Sequence, residues 1–198
     1  MNSSRSRTAR QSLFILHPDM NYGGAERQIL NLTRCLIEIA DIDITLGLYR
    51  ATGKLLSELD QIPQVEVIDL GRYRSGLIPT IFSIRRLIVF RKFSIVHSLL
   101  IGPNILLGVV SLFTPIRRLV WGNRVSFFRK TQFGLKGILA TRMFRLLAHR
   151  ADAIISNSES GHAELVKMRV QTRLNLVVPN GIDTDSFAPS TELRTLFR

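Results

Sequence analysis

"NYGGAERQILNLTRCL" (Asn21–Leu36) follows the apolar run "SLFIL" (Ser12–Leu16) in a chain of 198 residues. The run has the length and composition of a buried strand. After the glycines, Ile29, Leu32, Leu36 and Ile39 recur at the three-and-four spacing of one buried helix face. A strand, a Gly-rich turn and a helix start make an anion-binding arrangement: the first helical N–H groups lack backbone partners and the helix dipole is positive there. Glycine lets the backbone approach a ligand closely and adopt positive φ. On this reading Gly23 and Gly24 form the turn and Ala25 opens the helix. Glu26 suits the dipole from the first turn. From these residues alone, a ligand loop and a plain well-made helix start are equally supported. There is no G-x-G-x-x-G and no G-x-x-x-x-G-K-[ST], so dinucleotide-binding and P-loop readings lack their defining residues.

The same alternation continues outward. Strands are expected at 12–16, 43–49, 64–70, 94–100, 117–123, 152–158 and 173–181. Helices are expected at 25–39, 53–61, 78–92, 103–113, 135–150 and 159–168, with Pro79 suited to the first turn of its helix. Strand–helix alternation implies right-handed crossovers and a doubly wound, Rossmann-like α/β fold: a parallel sheet with helices on both faces. Runs such as "AIIS" and "LVVP" lack strict alternation, as strands covered on both sides do.

Composition agrees with an ordered domain: 45% of residues are hydrophobic and 21% charged. The single cysteine, Cys35, excludes an intrachain disulfide and suits a reducing cytoplasm. It is expected in the core. The leader "MNSSRSRTARQ" (1–11) is basic and Ser-rich, and the apolar run after it is too short for a secretory signal. A disordered start is expected there. "IVHSLLIGPNILLGVVSLF" (Ile95–Phe113) has no charged residue over 19 positions, near the length of a membrane span, but Gly102-Pro103-Asn104 divides it. A strand, a turn and a buried helix account for it better. The four histidines are scattered, and "DID" (41–43) precedes its strand, so no metal-ligand pattern stands out.

The net charge of +12 is localised. Between Leu70 and Ala151 there are 15 Lys or Arg and no Asp or Glu, so the rest of the chain holds all 15 acids. Such a block attracts polyanions, as phosphate-bearing ligands, anionic lipid or nucleic acid. "IFSIRRLIVFRK" and "ATRMFRLLAHR" set bases beside large apolar groups at helical spacing, a pattern of helices that lie on anionic membranes. "FFRKTQF" (127–133) offers aromatics beside bases, but no nucleic-acid motif accompanies it.

"GGAERQILNL" after the first strand and "VVPNGIDTDSFAP" near the far end together resemble glycosyltransferase family 4. "IVHS", "VWGNR" and "ADAIISNSES" resemble that family's intervening strands, and the likeness runs from about Leu13 to Pro189. It implies the amino-terminal, acceptor-side half of a GT-B fold, with two Rossmann-like domains facing across a cleft. The implied organisation is a leader at 1–11, a Rossmann-like glycosyltransferase domain at 12–181, and at 182–198 an interdomain crossover and the start of a second, donor-binding domain. The implied reaction is sugar transfer with retention, from a nucleotide-sugar to a glycan or lipid-linked acceptor, without metal or other cofactor. Relatives of this kind build surface glycans such as lipopolysaccharide or exopolysaccharide at the cytoplasmic membrane. That implies a cytoplasmic protein on its inner face, touching anionic lipid through residues 70–151. The alternative from the charge alone is a non-catalytic basic module for anionic membrane or nucleic acid; the resemblance gives no expectation of nucleic acid.

The resemblance also assigns residues. Gly23, Gly24, Glu26 and Arg27 match the loop at the donor phosphates and acceptor. Asn104, Arg124, Asn157 and Ser158 fall on the acceptor side of the cleft, with Ser158 equally suited to cap the next helix. Asn180, Gly181 and Asp183 match the crossover. Many relatives carry a histidine where this chain has Leu99; His97 remains as a weak catalytic candidate, more naturally a core or supporting residue. Without the donor half the chain is expected to be inactive alone, and its bare cleft side is expected to favour self-association.

Overall fold

The computed structural model describes residues 11–124 and 134–182. Seven strands form one parallel sheet: β1 (Gln11–His17), β2 (Ile42–Leu48), β3 (Val65–Asp69), β4 (Ile95–Ser98), β5 (Leu119–Asn123), β6 (Ala153–Ser156) and β7 (Leu174–Val177). Their spatial order is β3-β2-β1-β4-β5-β6-β7. The helices are α1 (Gly24–Ile39), α2 (Leu56–Leu59), α3 (Arg72–Ser75), α4 (Leu77–Arg91), α5 (Ile101–Ser111), α6 (Gly134–Leu147) and α7 (Glu159–Lys167). The doubly wound α/β architecture read from the alternation is therefore the fold. Leader residues 1–10, the "FFRKTQF" segment, Asp183 and the rest of the crossover lie outside the described residues.

Parallel pairing in register fixes which side chains share a face. Leu13, Ile15 and His17 of β1 lie beside Ile44, Leu46 and Leu48 of β2. α1 covers this side with Ile29 and Leu30. Phe14, Leu16, Val96, Leu119, Trp121 and Ile154 face the other way, against α4, α5, α6 and α7. There Trp121 and Phe144 meet with ring centroids 5.0 Å apart. Gly108 leaves the room they need, since a Cβ on it would come within 2.9 Å of both Trp121 and Leu147. The 95–113 run divides as its proline suggests, into β4 and the mostly buried α5. No helix among the described residues is long and apolar enough to cross a membrane.

Three expectations are corrected. The buried stripe of α1 runs through Ile29, Leu30 and Thr33, turned by about one residue from the predicted face. Ile39 is 79% exposed in consequence. Cys35 lies more than a quarter-turn away from that stripe and is exposed. The helix expected at 53–61 shortens to α2, because Gly53 adopts φ +127 as part of a turn. The buried stripe has a functional corollary: continued one turn toward the N-terminus, it reaches Glu26.

Candidate functional site

The chain leaves β1 toward β2 in one direction and β4 toward β5 in the other, so the strand order reverses between β1 and β4. In sheets of this kind the crevice beyond the carboxyl ends of the strands at such a switch point is the usual ligand position.

The glycine turn borders it. Gly23, the N-cap of α1, has φ −166 and ψ 166 and carries no side-chain cap. This extended backbone suits any residue, so positive φ is not why glycine stands there. Space is the reason: a Cβ on Gly23 would overlap the Glu26 carboxylate, and Gly24 faces open space. The first N–H groups of α1 are left without a side-chain cap and available to an anion. Arg27 begins the helical ladder, its N–H donating to the Gly23 carbonyl at 3.0 Å, and its side chain is exposed.

The turn is held from beneath. The Met20 N–H donates to the Thr52 carbonyl at 2.9 Å, and the Leu55 N–H donates to the Met20 carbonyl at 3.0 Å. Gly53 packs so closely on this segment that a Cβ would overlap Met20 and Asn21 backbone atoms. Asp19 closes the bend by accepting from the Asn21 backbone N–H at 3.2 Å and from its side-chain amide at 2.7 Å.

His17, the last residue of β1, is fully buried and donates from Nε2 to Glu26 Oε1 at 2.8 Å. Burial lowers its pKa, against the opposing effects of the Glu26 hydrogen bond and the Glu26 and Asp19 charges. The ring is thus neutral near pH 7, and Nδ1 is left as a buried acceptor with no partner among the described residues. His97 pairs across β1 with Ile15, which puts it on the same face as His17. It donates from Nδ1 to the Val120 carbonyl at 3.0 Å. Burial pushes its pKa down to about 4, against the opposing effect of the Val120 hydrogen bond, and the nearby Arg124 charge acts in the same direction as burial.

Arg124 leaves β5 on that face, half-buried. Its guanidinium donates from Nη1 to Asn180 Oδ1, and its buried Nε has no acceptor among the described residues. Burial lowers its pKa, and no carboxylate among the described residues pairs with it. Gly181 is tied to α1, its carbonyl accepting from Gln28 Nε2 at 2.9 Å. The start of the crossover is thereby fastened at two points beside the crevice.

The remaining candidates stand behind this surface. Asn104 is fully buried in the second turn of α5, where Oδ1 accepts from the Ser98 hydroxyl at 2.6 Å and Nδ2 donates to the Gly122 carbonyl at 3.0 Å. Ser158 accepts from the Gly161 N–H at 3.2 Å and caps α7. Asn157 is half-buried, with Oδ1 unpartnered among the described residues. The structure thus sets Gly23, Gly24 and Glu26 after the carboxyl end of β1 and Arg124 with Asn180 after that of β5, and gives His97, Asn104 and Ser158 internal partners.

Two residues escaped the sequence reading. One is His17; its signal was a histidine at the exact end of the first strand, one helical stripe from Glu26. The other is Asn123, buried, with Nδ2 donating to the Gly161 carbonyl at 3.0 Å and reaching Ser156 Oγ at 3.3 Å.

The model of the family described as Glycosyltransferase Family 4 matches residues 22–186. Among solved structures, HepE from Anabaena, determined in complex with UDP, aligns at 19% identity and a TM-score of 0.72, covering 94% of this chain and 50% of that one. A sucrose-phosphate synthase from Thermosynechococcus elongatus aligns at 11% identity and a TM-score of 0.76, covering 95% and 52%. A UDP-N-acetylglucosamine 2-epimerase aligns at 12% identity and a TM-score of 0.57, covering 86% and 48%. These likenesses establish the fold. The chain spans about half the length of each of these structures. No curated protein sequence matches it.

Proposed function

Because this chain belongs to glycosyltransferase family 4, we propose that it is the acceptor-side domain of an enzyme that transfers a hexose from a nucleotide-sugar to a glycan or lipid-linked acceptor. The reading is of retaining, metal-independent transfer in the cytoplasm, toward lipopolysaccharide- or exopolysaccharide-type products. The observation that carries it is the crevice. An uncapped helix N-terminus and an open glycine follow β1, and a half-buried arginine with no carboxylate partner among the described residues follows β5, at the same carboxyl end of the sheet and on either side of the point where the strand order reverses. Each of these favours an anionic ligand.

The residues divide the work. The first N–H groups of α1 and the Arg124 guanidinium hold phosphate charge. His17 orients Glu26 toward the glycine turn, where its free carboxylate oxygen can accept from a sugar hydroxyl. His97 stays neutral and serves as a support; a ring with a pKa of about 4 is a weak base near pH 7. The donor sugar and its nucleotide are held mainly by a second Rossmann-like domain across the cleft, so this chain alone binds weakly and does not turn over.

Titrating the isotope-labelled chain with UDP-glucose, with UDP first suggested by the HepE complexes, tests this. Amide shifts should move at Gly23–Glu26 and Arg124 while sugar transfer stays undetectable. Shifts confined to other residues would remove the crevice assignment, and transfer by this chain alone would remove its dependence on a second domain.

The membrane expectation also finds support. α4 exposes Ile78, Phe82 and Phe90 together with Arg85 and Arg86. We read the basic block as a peripheral contact with anionic lipid on the inner face of the cytoplasmic membrane. Leu174, Leu176 and Val178 are also exposed along β7 and just beyond it, which suits self-association.

A further inference from the structure

Away from the crevice, α6 and α7 meet in a groove of about 570 Å³ lined by Arg142, Arg145, Lys167 and Arg169. A second lobe of about 710 Å³ continues past Leu146 and His149. The arginines lie in the later turns of α6 and just after α7, where both helices return toward the beginnings of β6 and β7. This is the end of the sheet opposite the crevice.

The groove's charge is unbalanced. Lys167 donates to Glu164 Oε1 at 2.8 Å, but Arg142, Arg145 and Arg169 pair with no acid among the described residues, and no acid lines the groove. Arg169 has φ +52, at a helix end where glycine is the usual residue. Arginine forks match phosphate oxygens. The apolar rim narrows the choice of ligand. Leu135, Leu139, Arg142 and Leu146 follow one another at helical spacing, and Leu139 and Leu146 are 62% and 64% exposed. A small soluble anion has no use for exposed leucines beside its arginines, whereas a lipid headgroup attached to acyl chains has.

We propose that the α6–α7 groove seats the phosphate headgroup of an anionic lipid, with Leu139 and Leu146 entering the acyl boundary. This rests on the membrane reading above and narrows it to one site.

Co-sedimentation of the 198-residue chain with vesicles tests it, using phosphatidylcholine alone or with one third phosphatidylglycerol. Binding is expected only with phosphatidylglycerol. The triple variant Arg142→Gln, Arg145→Gln, Arg169→Gln should weaken it on the order of 100-fold. The pair Arg85→Gln, Arg86→Gln on α4 should weaken it less, and Leu139→Ser with Leu146→Ser should reduce it without changing its salt dependence. The side chains changed are exposed, and circular dichroism establishes that each variant folds. Loss through the α4 pair with the triple variant unaffected would overturn the groove site while leaving membrane contact standing. No vesicle binding by the parent chain would overturn both. Two further results would overturn the lipid assignment: inorganic phosphate bound at the groove without vesicle binding, or single-stranded RNA bound more tightly than vesicles.

Discussion

The imidazole of His17 donates from Nε2 to Oε1 of Glu26 at 2.8 Å, joining the end of β1 to the first turn of α1 across the glycine turn. Glu26 is therefore more than a charge placed for the helix dipole. Replacing it with alanine takes from a fully buried histidine the one partner its ring has among the described residues, a loss of about 2 kcal/mol. Glu26→Gln keeps an acceptor oxygen and should cost less than about 1 kcal/mol. Urea midpoints separate the two variants. Equal losses would mean that the carboxylate charge, rather than an acceptor at that point, holds His17.

Acid sensitivity follows from the same face of the sheet. His17 and His97 both have folded pKa values below the ordinary 6.5. The unfolded chain therefore binds more protons below that pH, and stability falls as pH falls. The contribution of His97 is complete above pH 6.5 and is lost on the way down to about 4, an effect on the order of 3 kcal/mol. His97→Gln keeps a donor for the Val120 carbonyl and cannot titrate. Its stability should fall less than the parent's between pH 7 and pH 4.5. Parallel curves would remove His97 as the source.

The strand–helix order was legible because each strand is a short apolar run and each long helix carries a three-and-four pattern. That pattern did not reveal the orientation of α1. Leu32, Leu36 and Ile39 suggest one stripe, but the sheet takes Ile29, Leu30 and Thr33. Packing against β1 and β2 decided between faces that hydropathy left nearly equal, and Cys35 and Ile39 moved outward with that choice. The glycine turn was legible as a ligand loop, yet the reason for Gly23 was not: its neighbour is a side chain from one turn onward, which only the His17 pairing brings back over it. Asn104 reads as a helix-opening polar residue, but its hydrogen bond to the Gly122 carbonyl depends on β5 lying alongside β4, a contact no local pattern records.

Two glycines separate architecture from ligand contact. Gly53 combines φ +127 with an overlap of any Cβ against Met20 backbone, so Gly53→Ala should cost about 3 kcal/mol or more. Gly24→Ala meets nothing within 4 Å and should leave stability unchanged or raise it by about 0.5 kcal/mol. The added methyl would stand where a phosphate approaches the first turn of α1, so UDP titration should give weaker amide shifts at residues 24–26. Undiminished UDP shifts in Gly24→Ala would mean that this helix start does not seat the phosphate.

Arg124 presents the opposite balance. Its guanidinium is half-buried, has lost part of its hydration, and has Asn180 but no carboxylate as partner among the described residues. A charge in that state costs the fold something that a bound anion would offset. Arg124→Met keeps the length of the side chain and removes the charge. It should leave the urea midpoint unchanged or raise stability by up to about 1 kcal/mol, while weakening UDP binding on the order of 10-fold. Arg124→Lys keeps the charge but not the fork, so it should recover part of the affinity and none of the stability gain. The two measurements must move in opposite directions for Arg124 to be a ligand residue. A methionine variant that lost stability and kept its affinity would instead make Arg124 a strut, holding Asn180 and the crossover against the end of β5.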